Sequence, residues 1–302
     1  MTPLKCLVTG GAGYIGSHAA RALLEAGHEV RVLDDLSRGH RAAVPPGVEL
    51  VVGGVGEREA CARALEGMDA VLHFAAFMSV AESVREPARY YRANVAEAVT
   101  LLEEMAGQGV ARMVFSSTCA VYGVPRALPI DEDHAQDPIS PYGASKRAFE
   151  RALADVARAG GLRAIALRYF NAAGCHPEGG LGEDHRPEEH IVPLAVDAAL
   201  GRGPGLTIHG DDYETPDGTC IRDFIHVDDL ARAHVLALSE KATNRTYNLD
   251  GARAVSIREI AETVKELVGD VTVEYGPSRP GDFAARKVLI DRAREELGWE
   301  PL

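Results

Sequence analysis

Two side chains that can transfer protons, Tyr142 and Lys146, lie four residues apart in the segment YGASK. Residues at this spacing share one face of a helix, so the two side chains can act as a unit. A free phenol has a pKa of about 10 and is a poor base at neutral pH unless nearby cations stabilise the phenolate. Lys146 would supply part of that charge. The same spacing also fits an ordinary amphipathic helix in which Tyr142 packs near the cap.

A hydroxyl group is expected close to this pair. Ser116, Ser117 and Thr118 follow an apolar run at residues 112–115. Ser117 or Thr118 would project into the same crevice and donate a hydrogen bond to a reacting oxygen. We favour Thr118 for this role. For Ser116, a hydrogen bond to the backbone at the end of a strand is the simpler interpretation.

The segment TGGAGYIGSH at residues 9–18 would position a cofactor beside these groups. It follows an apolar run and precedes a helix-like pattern, so its context is strand, glycine turn and helix. Gly10, Gly13 and Gly16 suit a tight turn whose backbone N–H groups face a pyrophosphate at the helix N-terminus. A second apolar run ends in Asp34, a position that suits a ribose 2′-hydroxyl. The segment therefore predicts a dinucleotide site.

The rest of the chain alternates between strand-like and helix-like patterns. This alternation predicts an α/β protein with a Rossmann-type, doubly wound parallel sheet and helices on both faces. The apolar runs are at 4–8, 30–33, 50–52, 70–74, 112–115 and 164–167, and the helix-like segments at 17–26, 57–64, 88–108, 142–159, 191–200 and 228–238.

The spacing changes after residue 167, where glycine, proline and charged residues become frequent. We predict an NAD-binding domain at residues 1–173, with 222–250 returning to it, and a smaller C-terminal substrate lobe at 174–302. In this smaller lobe, apolar runs at 206–209 and 271–275 are strand-like. The ligand is expected in the crevice at the carboxyl ends of the strands.

Composition excludes some classes of partner. The chain has 302 residues, 46% of them hydrophobic, and a net charge of −13 that argues against nucleic-acid binding. No apolar stretch approaches the ~20 residues of a membrane span, and no signal peptide is recognisable, so we expect a cytoplasmic protein. The five cysteines are scattered and should be reduced thiols. His176, His185 and His190 lack the spacing of a zinc site, so no metal is expected.

Taken together, the motifs resemble the extended short-chain dehydrogenases/reductases, and within that family the UDP-glucose 4-epimerases. The shared segments cover nearly the whole chain. They are TGGAGYIGSH, HFAA, SV at 83–84, YY at 90–91, Asn94, FSST, VYG, SPYGASK, LRYFNAAG, GED at 182–184, the stretch 210–219 and RDFIHVDDL.

The resemblance implies a reaction at C4 of a UDP-sugar. Tyr142 would be the acid/base, Lys146 would bind the nicotinamide ribose and lower the tyrosine pKa, and Thr118 would bridge Tyr142 and the sugar 4-oxygen. UDP-galactose and UDP-glucose would interconvert through a 4-keto sugar, with NAD retained throughout. The acidic Asp34 would favour NAD over NADP.

The resemblance also implies two sets of binding residues. NAD would contact Gly10, Gly13, Tyr14, Ile15, Gly16, Asp34, Asp35, Val55, Phe74, Ala75, Ala76, Asn94, Ser116, Tyr142, Lys146 and Tyr169. The UDP-sugar would contact Thr118, Tyr142, Asn171, His190, Ile191, Thr207, His209, Arg222, Arg279 and Asp282. The arginines suit a diphosphate because it favours charge-assisted, often bidentate hydrogen bonds. A homodimer formed by helices near 88–108 and 142–159 is expected.

The chain departs from the family pattern at a few positions. The sequence Gly53-Gly54-Val55 replaces an aspartate that often meets adenine, Met78 replaces a lysine found in some epimerases, and His209 takes the place of a uracil-side aromatic. Family members usually continue beyond the position of Leu302, so the chain is expected to be shortened.

Three alternatives stay open at this level. A 4-epimerase acting on a UDP-N-acetylhexosamine, UDP-glucuronate or a UDP-pentose would use the same chemistry. A nucleotide-sugar 4,6-dehydratase needs an acidic pair after the threonine, where this chain has Cys119 and Ala120. A non-catalytic NAD-binding sensor on the same fold would not require Tyr142, Lys146 and Thr118.

Overall fold

The computed structural model describes residues 2–203, 205–242, 244–251, 253–278 and 287–302. Its strands are, in order from β1 to β12, Lys5–Thr9, Glu29–Asp34, Glu49–Val52, Ala70–His73, Arg112–Ser116, Arg163–Arg168, Asn171–Ala173, Leu206–His209, Ile221–His226, Arg245–Asn248, Ala254–Ser256 and Val273–Gly276. Its α-helices, α1 to α9, are Tyr14–Glu25, Arg58–Leu65, Val80–Arg85, Pro87–Tyr91, Ala98–Gln108, Pro141–Ala159, Ile191–Ala199, Val227–Leu236 and Ile257–Leu267.

Seven strands form one parallel sheet in the order β10-β6-β5-β4-β1-β2-β3. The prediction of a doubly wound α/β fold is confirmed, and all six predicted strands of the sheet are present. The seventh strand, β10, was not predicted and pairs with β6 at one edge of the sheet.

Alternate residues of each strand face two different hydrophobic cores. In β1, Cys6 and Val8 pack into one core with α1 and α8, whereas Leu7 packs into the other with α2, α5 and α6. Strands that are buried on both faces are therefore nearly continuous apolar runs, as parallel sheets require.

The prediction of one helix at 88–108 is wrong in one respect. The helix is divided by a π-helical turn at Arg92–Glu97, between α4 and α5. Such an insertion rotates the side chains that follow it and is frequent at functional sites. Here it accompanies the inward position of Asn94, which is almost fully buried.

The second region contains a small core of its own. Strands β11, β9 and β7 form a three-stranded sheet, and β12 pairs with β8 in parallel. Helices α7 and α9 pack on the second pair around Leu206 and Ile208. The strands β7, β9 and β11 and the helix α9 were not predicted.

The segment 287–302 packs into the core that lies beside the large sheet with α1 and α8. Trp299 is fully buried, and its Nε1 donates a hydrogen bond to Asp229 O at 2.9 Å. Val288 forms a parallel bridge with Ile130. The domain boundaries given above stay a prediction. Among the described residues, no helix has both the length and the apolar character needed to cross a membrane.

Candidate active site

The crevice is built from the segments that follow the carboxyl ends of the parallel strands. All seven strands point the same way, so these ends meet at one edge of the sheet. The strand order changes direction between β1 and β4, which is where open α/β sheets bind ligands. The glycine turn follows β1, Phe74 follows β4, and Thr118 lies just after β5.

The glycine turn has no room for side chains at two positions. A Cβ on Gly10, which has φ +71°, would lie 2.6 Å from the backbone N of Ala75. A Cβ on Gly16 would lie 2.1 Å from the carbonyl oxygen of Gly10. Gly13 is the N-cap of α1, so the first N–H groups of that helix are available to a ligand. This cradle fits a pyrophosphate.

Asp34 is held beside the glycine turn by the backbone. Its Oδ2 accepts a hydrogen bond from Ala12 N at 2.9 Å, and its Oδ1 accepts one from Leu36 N at 2.8 Å. Burial raises the pKa of this carboxyl, while the two N–H donors lower it. Each carboxylate oxygen can accept a further hydrogen bond, as a ribose hydroxyl would need. Asp35 is exposed and accepts from Ser37 N.

The other residues predicted to contact NAD are found at several depths. Tyr14 donates its hydroxyl to Gly174 O at 2.7 Å, and Ile15 beside it is half-buried. Val55 is buried in the core around α2. The half-buried ring of Phe74 packs on His234, and Ala75 and Ala76, also half-buried, continue the same loop along the glycine turn.

Tyr142 and Thr118 form the centre of the site. Tyr142 lies in the first turn of α6, whose N-cap Ser140 accepts a hydrogen bond from Gly143 N. Burial raises the pKa of Tyr142 to about 12, and a hydrogen bond with Thr118 opposes this rise. Thr118 caps the short 3₁₀ turn Cys119–Tyr122, where its Oγ1 accepts from Ala120 N at 3.1 Å. The predicted hydroxyl partner thus lies close enough to the predicted base to lower its pKa.

Lys146 is buried one turn after Tyr142. Its Nζ donates to Ser116 O at 2.8 Å and lies 4.8 Å from the centre of the Phe115 ring. Burial lowers the pKa of Lys146 to about 7, and the carboxylate of Glu150 acts in the opposite direction. The Ser116 hydroxyl contacts the phenol of Tyr169.

Asn94 supports this part of the site from the π-helical turn. Its Oδ1 accepts from Phe77 N, and its Nδ2 donates to Phe77 O and to Ser145 Oγ. The structure therefore shows Asn94 joining the loop after β4 to α6. Contact with a cofactor stays a prediction for this residue.

A buried ion pair beneath the site was missed in the sequence. Glu150 of α6 and Arg168 of β6 form two contacts, including Nε to Oε1 at 2.9 Å, and Ser117 also donates to Glu150. Arg168 donates further to the hydroxyl of Tyr122 at 2.8 Å. Since Glu150 lies four residues after Lys146, helical spacing could have indicated it, but nothing in the sequence indicated Arg168.

The residues predicted for the UDP-sugar occupy separate elements of the second region. Asn171 of β7 donates to Asp223 O at 2.9 Å, and Arg222 of β9 donates to Ile221 O at 3.0 Å. The Thr207 side chain is exposed on β8, and His209 Nδ1 lies 3.3 Å from Pro277 O. His190 caps α7, in which the half-buried Ile191 is the first residue. Arg279 and Asp282 lie outside the described residues.

His185 and His190 lie close to the carboxylates of Glu183, which is part of the GED segment, and Glu188, which was not singled out in the sequence. Burial by itself lowers the pKa of His190. The carboxylates of Glu183 and Glu188 have the larger, opposite effect and raise this pKa to about 10. The same opposing influences raise the pKa of His185 to about 9. The third histidine of this stretch, His176, is not part of the group.

A second pair of acids joins the two regions. Asp223 of β9 and Asp250, just after β10, are both buried and close enough for their charges to interact. Burial raises the pKa of each carboxyl, and for Asp250 the neighbouring negative charge raises it further. Each carboxyl therefore keeps its proton to a higher pH than an ordinary aspartate.

The sequence profile of the NAD dependent epimerase/dehydratase family matches residues 6–250, and the chain belongs to this family. Relatives that match almost the whole chain point to one activity within this family. It is 48% identical to the UDP-glucose 4-epimerase of Azospirillum brasilense, over 98% of this chain and 87% of that one.

Two crystal structures show the same fold over almost the whole chain. UDP-glucose 4-epimerase from Brucella ovis in complex with NAD is 47% identical, with a TM-score of 0.96 over 99% of this chain and 94% of that one. The enzyme from Bifidobacterium longum in complex with NAD⁺ and UDP is 34% identical, with a TM-score of 0.93 over 99% and 93%.

Proposed function

We propose that this chain is an NAD-dependent isomerase that interconverts UDP-galactose and UDP-glucose at C4 of the sugar. The observation that carries the proposal is the grouping of Tyr142, Thr118 and Lys146 at the end of β5. This group shares one crevice edge with the glycine turn after β1. The similarity to UDP-glucose 4-epimerases supports the choice of substrate.

The crevice fits NAD in its shape and charge. Gly10, Gly13 and Gly16 would hold the pyrophosphate at the N-terminus of α1, and Asp34 would accept hydrogen bonds from the adenosine ribose. The carboxylate of Asp34 would repel a 2′-phosphate, which favours NAD over NADP. When bound, NAD accepts the hydrogen and electron pair from C4 and returns them to the opposite face of the sugar.

Tyr142 transfers the proton that accompanies this oxidation. Its phenolate accepts the proton of the 4-hydroxyl when C4 becomes a ketone and returns it to the 4-oxygen when C4 is reduced. Because burial raises the pKa of this phenol to about 12, positive charge and hydrogen-bond donors must stabilise the phenolate. Thr118 already lowers the pKa of this phenol, and Lys146, one helical turn after Tyr142, would supply the positive charge.

The uridine diphosphate half of the substrate anchors the sugar while its ring turns over. Arg222 and Arg279 supply positive charge for the two phosphates, and Asn171, Thr207 and His209 supply hydrogen-bonding groups. Asp282, His190 and Ile191 complete the predicted contacts. Because the diphosphate is bound firmly, the 4-keto sugar can rotate without leaving the site. Either face of its C4 carbonyl can then be reduced.

The structure offers little support for dehydration. The position after Thr118 holds Cys119, whose thiol is buried and has a pKa raised well above its ordinary value by that burial. Ala120 has no ionisable group. A dehydratase would need carboxyl groups at this point to remove water.

One assay tests the proposal against its alternatives. Purified protein is incubated with UDP-galactose without added NAD, and UDP-glucose is measured. Conversion supports a 4-epimerase that retains its cofactor. If no UDP-glucose forms even with NAD supplied, the proposed reaction is wrong, and a 4-keto-6-deoxy product would identify a dehydratase. Parallel reactions with UDP-N-acetylgalactosamine, UDP-glucuronate and a UDP-pentose measure the breadth of the substrate pocket.

We also propose that the protein is a cytoplasmic homodimer. The helices near 88–108 and 142–159 would form the interface, and the neighbouring helix α3, which packs against α6, carries the exposed apolar side chains Val80 and Val84. All five cysteines are free thiols, which suits a reducing compartment. Sedimentation equilibrium should give twice the mass of one chain, and a monomer would contradict the dimer.

A further inference from the structure

Four side chains with metal-binding atoms converge between β7 and α7. They are Glu183, His185, Glu188 and His190, and one ligand atom from each lies within 4.8 Å of all the others. None of the proposed steps at C4 uses this group. It therefore needs an explanation of its own.

The contacts inside the group are close but poorly aligned for hydrogen bonds. His190 Nδ1 lies 2.5 Å and His185 Nδ1 3.2 Å from the same atom, Glu183 Oε1. Among the described residues, none of these three buried atoms makes a hydrogen bond of acceptable geometry. Both separations are within hydrogen-bond distance, so it is the angles that fall short of a well-formed hydrogen bond.

The key carboxylate is almost completely removed from water. The side chain of Glu183 is only 6% exposed, and its Oε1 is left without a hydrogen bond among the residues described. A buried, unsatisfied carboxylate oxygen is costly unless another group compensates it. A cation between this oxygen and the two imidazole nitrogens would satisfy all three atoms at once.

The fourth carboxylate is already oriented by the backbone. Glu188 Oε1 accepts hydrogen bonds from Glu189 N at 2.8 Å and His190 N at 2.9 Å. Its oxygens lie 3.4 Å from His190 Nδ1 and 3.7 Å from His185 Nδ1. A ligand that is fixed in advance loses little freedom when a metal binds.

The donor set indicates the class of metal. Two imidazole nitrogens and two carboxylate oxygens suit Zn²⁺ and its neighbours, whereas Mg²⁺ and Ca²⁺ prefer oxygen alone. Bonds of about 2.0–2.1 Å place the ligands of a tetrahedral Zn²⁺ roughly 3.3 Å apart. The separations of 2.5, 3.2, 3.4 and 3.7 Å lie on both sides of that value, so small side-chain movements would complete the site.

We propose that Glu183, His185, Glu188 and His190 bind one divalent transition-metal ion of the Zn²⁺ class. The ion would join the loop after β7 to His190, the N-cap residue of α7. The site also adjoins the glycine turn, because the ring of Tyr14 meets the ring of His185 edge-on at 6.2 Å. Its role would be structural, fixing one wall of the crevice. Coordination through Nδ1 leaves the second nitrogen of His190 for the predicted substrate contact.

Cobalt titration tests the site directly. The whole protein is treated with a chelator, dialysed and titrated with Co²⁺ alone, whose visible absorption reports tetrahedral coordination. The Cys175→Ser variant is used as the background, because Cys175 is an exposed thiol in the same region that could bind metal by itself. We expect one Co²⁺ per chain, displaced by Zn²⁺ but not by Mg²⁺.

Matched variants locate the bound ion. His185→Ala should weaken Co²⁺ binding by about 100-fold or more, since it removes a ligand rather than an outer contact. Glu189→Gln is the control, because this neighbouring carboxylate accepts from Ser79 Oγ and is not in the group. Stoichiometric binding lost in His185→Ala and kept in Glu189→Gln supports the proposal.

Two outcomes would overturn the proposal. One is the absence of stoichiometric Co²⁺ binding to the Cys175→Ser protein, which would make the group an ion-paired cluster without a metal. The other is unchanged binding in a folded His185→Ala protein, which would put the ion elsewhere. If His185→Ala fails to fold, Glu188→Gln is titrated with Co²⁺ in its place. The stoichiometry of Co²⁺ binding to the Cys175→Ser protein, and its displacement by Zn²⁺, then decide together with that titration.

Discussion

The phenol of Tyr142 illustrates how a reactive side chain depends on its neighbours. Burial raises its pKa to about 12, which by itself makes it a worse base than tyrosine in water. The hydrogen bond with Thr118 lowers that pKa, and a cation nearby would lower it further. A site that exploits this phenol must therefore combine burial with stabilisation of the anion.

Replacing Thr118 should move the pH dependence of turnover. In Thr118→Val the hydrogen bond that lowers the pKa of Tyr142 is lost, so the pKa rises and the half-maximal point of kcat moves to higher pH. Each unit of that rise removes about tenfold of the phenolate at neutral pH. Thr118→Ser keeps a hydroxyl and should restore the original profile. A Thr118→Val profile that coincides with the wild type would remove Thr118 from this role.

Tyr142→Phe should separate binding from chemistry. The substitution removes the proton acceptor but keeps the ring, so kcat should fall by about 10²- to 10⁴-fold while bound NAD is retained. Turnover is measured by conversion of UDP-galactose, and NAD by release after denaturation. Tyr275→Phe removes an exposed phenol from β12 and should behave as the wild type. Retention of most activity in Tyr142→Phe would mean that another group is the base.

At the scale of elements, the central strands of the main sheet are predictable because they are buried on both faces. Runs such as Leu7-Val8 and Val71-Leu72 are apolar for that reason. Strand β10 has the sequence RTYN, with only Tyr247 as an apolar residue, and it is recognised as a strand only through its pairing with β6. A short edge strand carries too little pattern of its own to be identified.

The same limit applies to the candidate site. Tyr142 and Lys146 can be recognised together because one helix determines their spacing. The pairing of Glu150 with Arg168 depends on how α6 packs on β6, and local sequence does not contain that information. Glu183 and Glu188 join their histidines through a loop whose conformation has no periodic signature.

The glycine turn after β1 should not tolerate Gly16→Ala. The new Cβ would lie 2.1 Å from the carbonyl oxygen of Gly10 and 3.0 Å from the Cα of Gly11, and these backbone atoms cannot move aside as a flexible side chain could. We expect a loss of about 1–3 kcal/mol in unfolding free energy, as for other overpacked sites, and loss of bound NAD. Urea unfolding and NAD release measure the two effects.

Gly107→Ala is the matched control for that experiment. Gly107 lies inside α5, and nothing approaches its missing Cβ within 4 Å. Alanine there should stabilise the protein by up to about 1 kcal/mol through helix propensity. Equal NAD content in the two variants would show that the turn adapts to a side chain and is not a rigid cradle.

At the scale of the whole molecule, the two regions are joined by segments distant in sequence. Asp223 in the small sheet meets Asp250 after the last strand of the large sheet, and Val288 N donates to Asp223 Oδ2 at 3.3 Å. Three separate parts of the chain thus meet at one buried pair of acids. Ionisation of this pair should therefore be felt in the stability of the entire fold.

Stability should fall as pH rises above the ordinary pKa of aspartate, about 3.9, because the pair keeps a proton that the unfolded chain releases. A raised folded-state pKa means that the folded protein binds more protons in this range, so each pH increment favours unfolding until the pair ionises. Asp250→Asn removes one of the two carboxyls but keeps an N–H donor for Asp223. We expect it to flatten the profile and to be more stable than the wild type at alkaline pH by at least about 1 kcal/mol, the equivalent of roughly one pKa unit.

Urea unfolding of both proteins between about pH 5 and about pH 9 measures this difference, since the interval lies above the pKa of an unperturbed aspartate. Asp270→Asn is the control, because its carboxylate is 92% exposed and pairs only with the surface residue Lys265 among the described groups. Removing that charge should leave the slope of stability against pH unchanged. Parallel slopes for Asp250→Asn and the wild type would mean that Asp223 and Asp250 are both ionised in the folded protein, with compensating charge supplied by their surroundings.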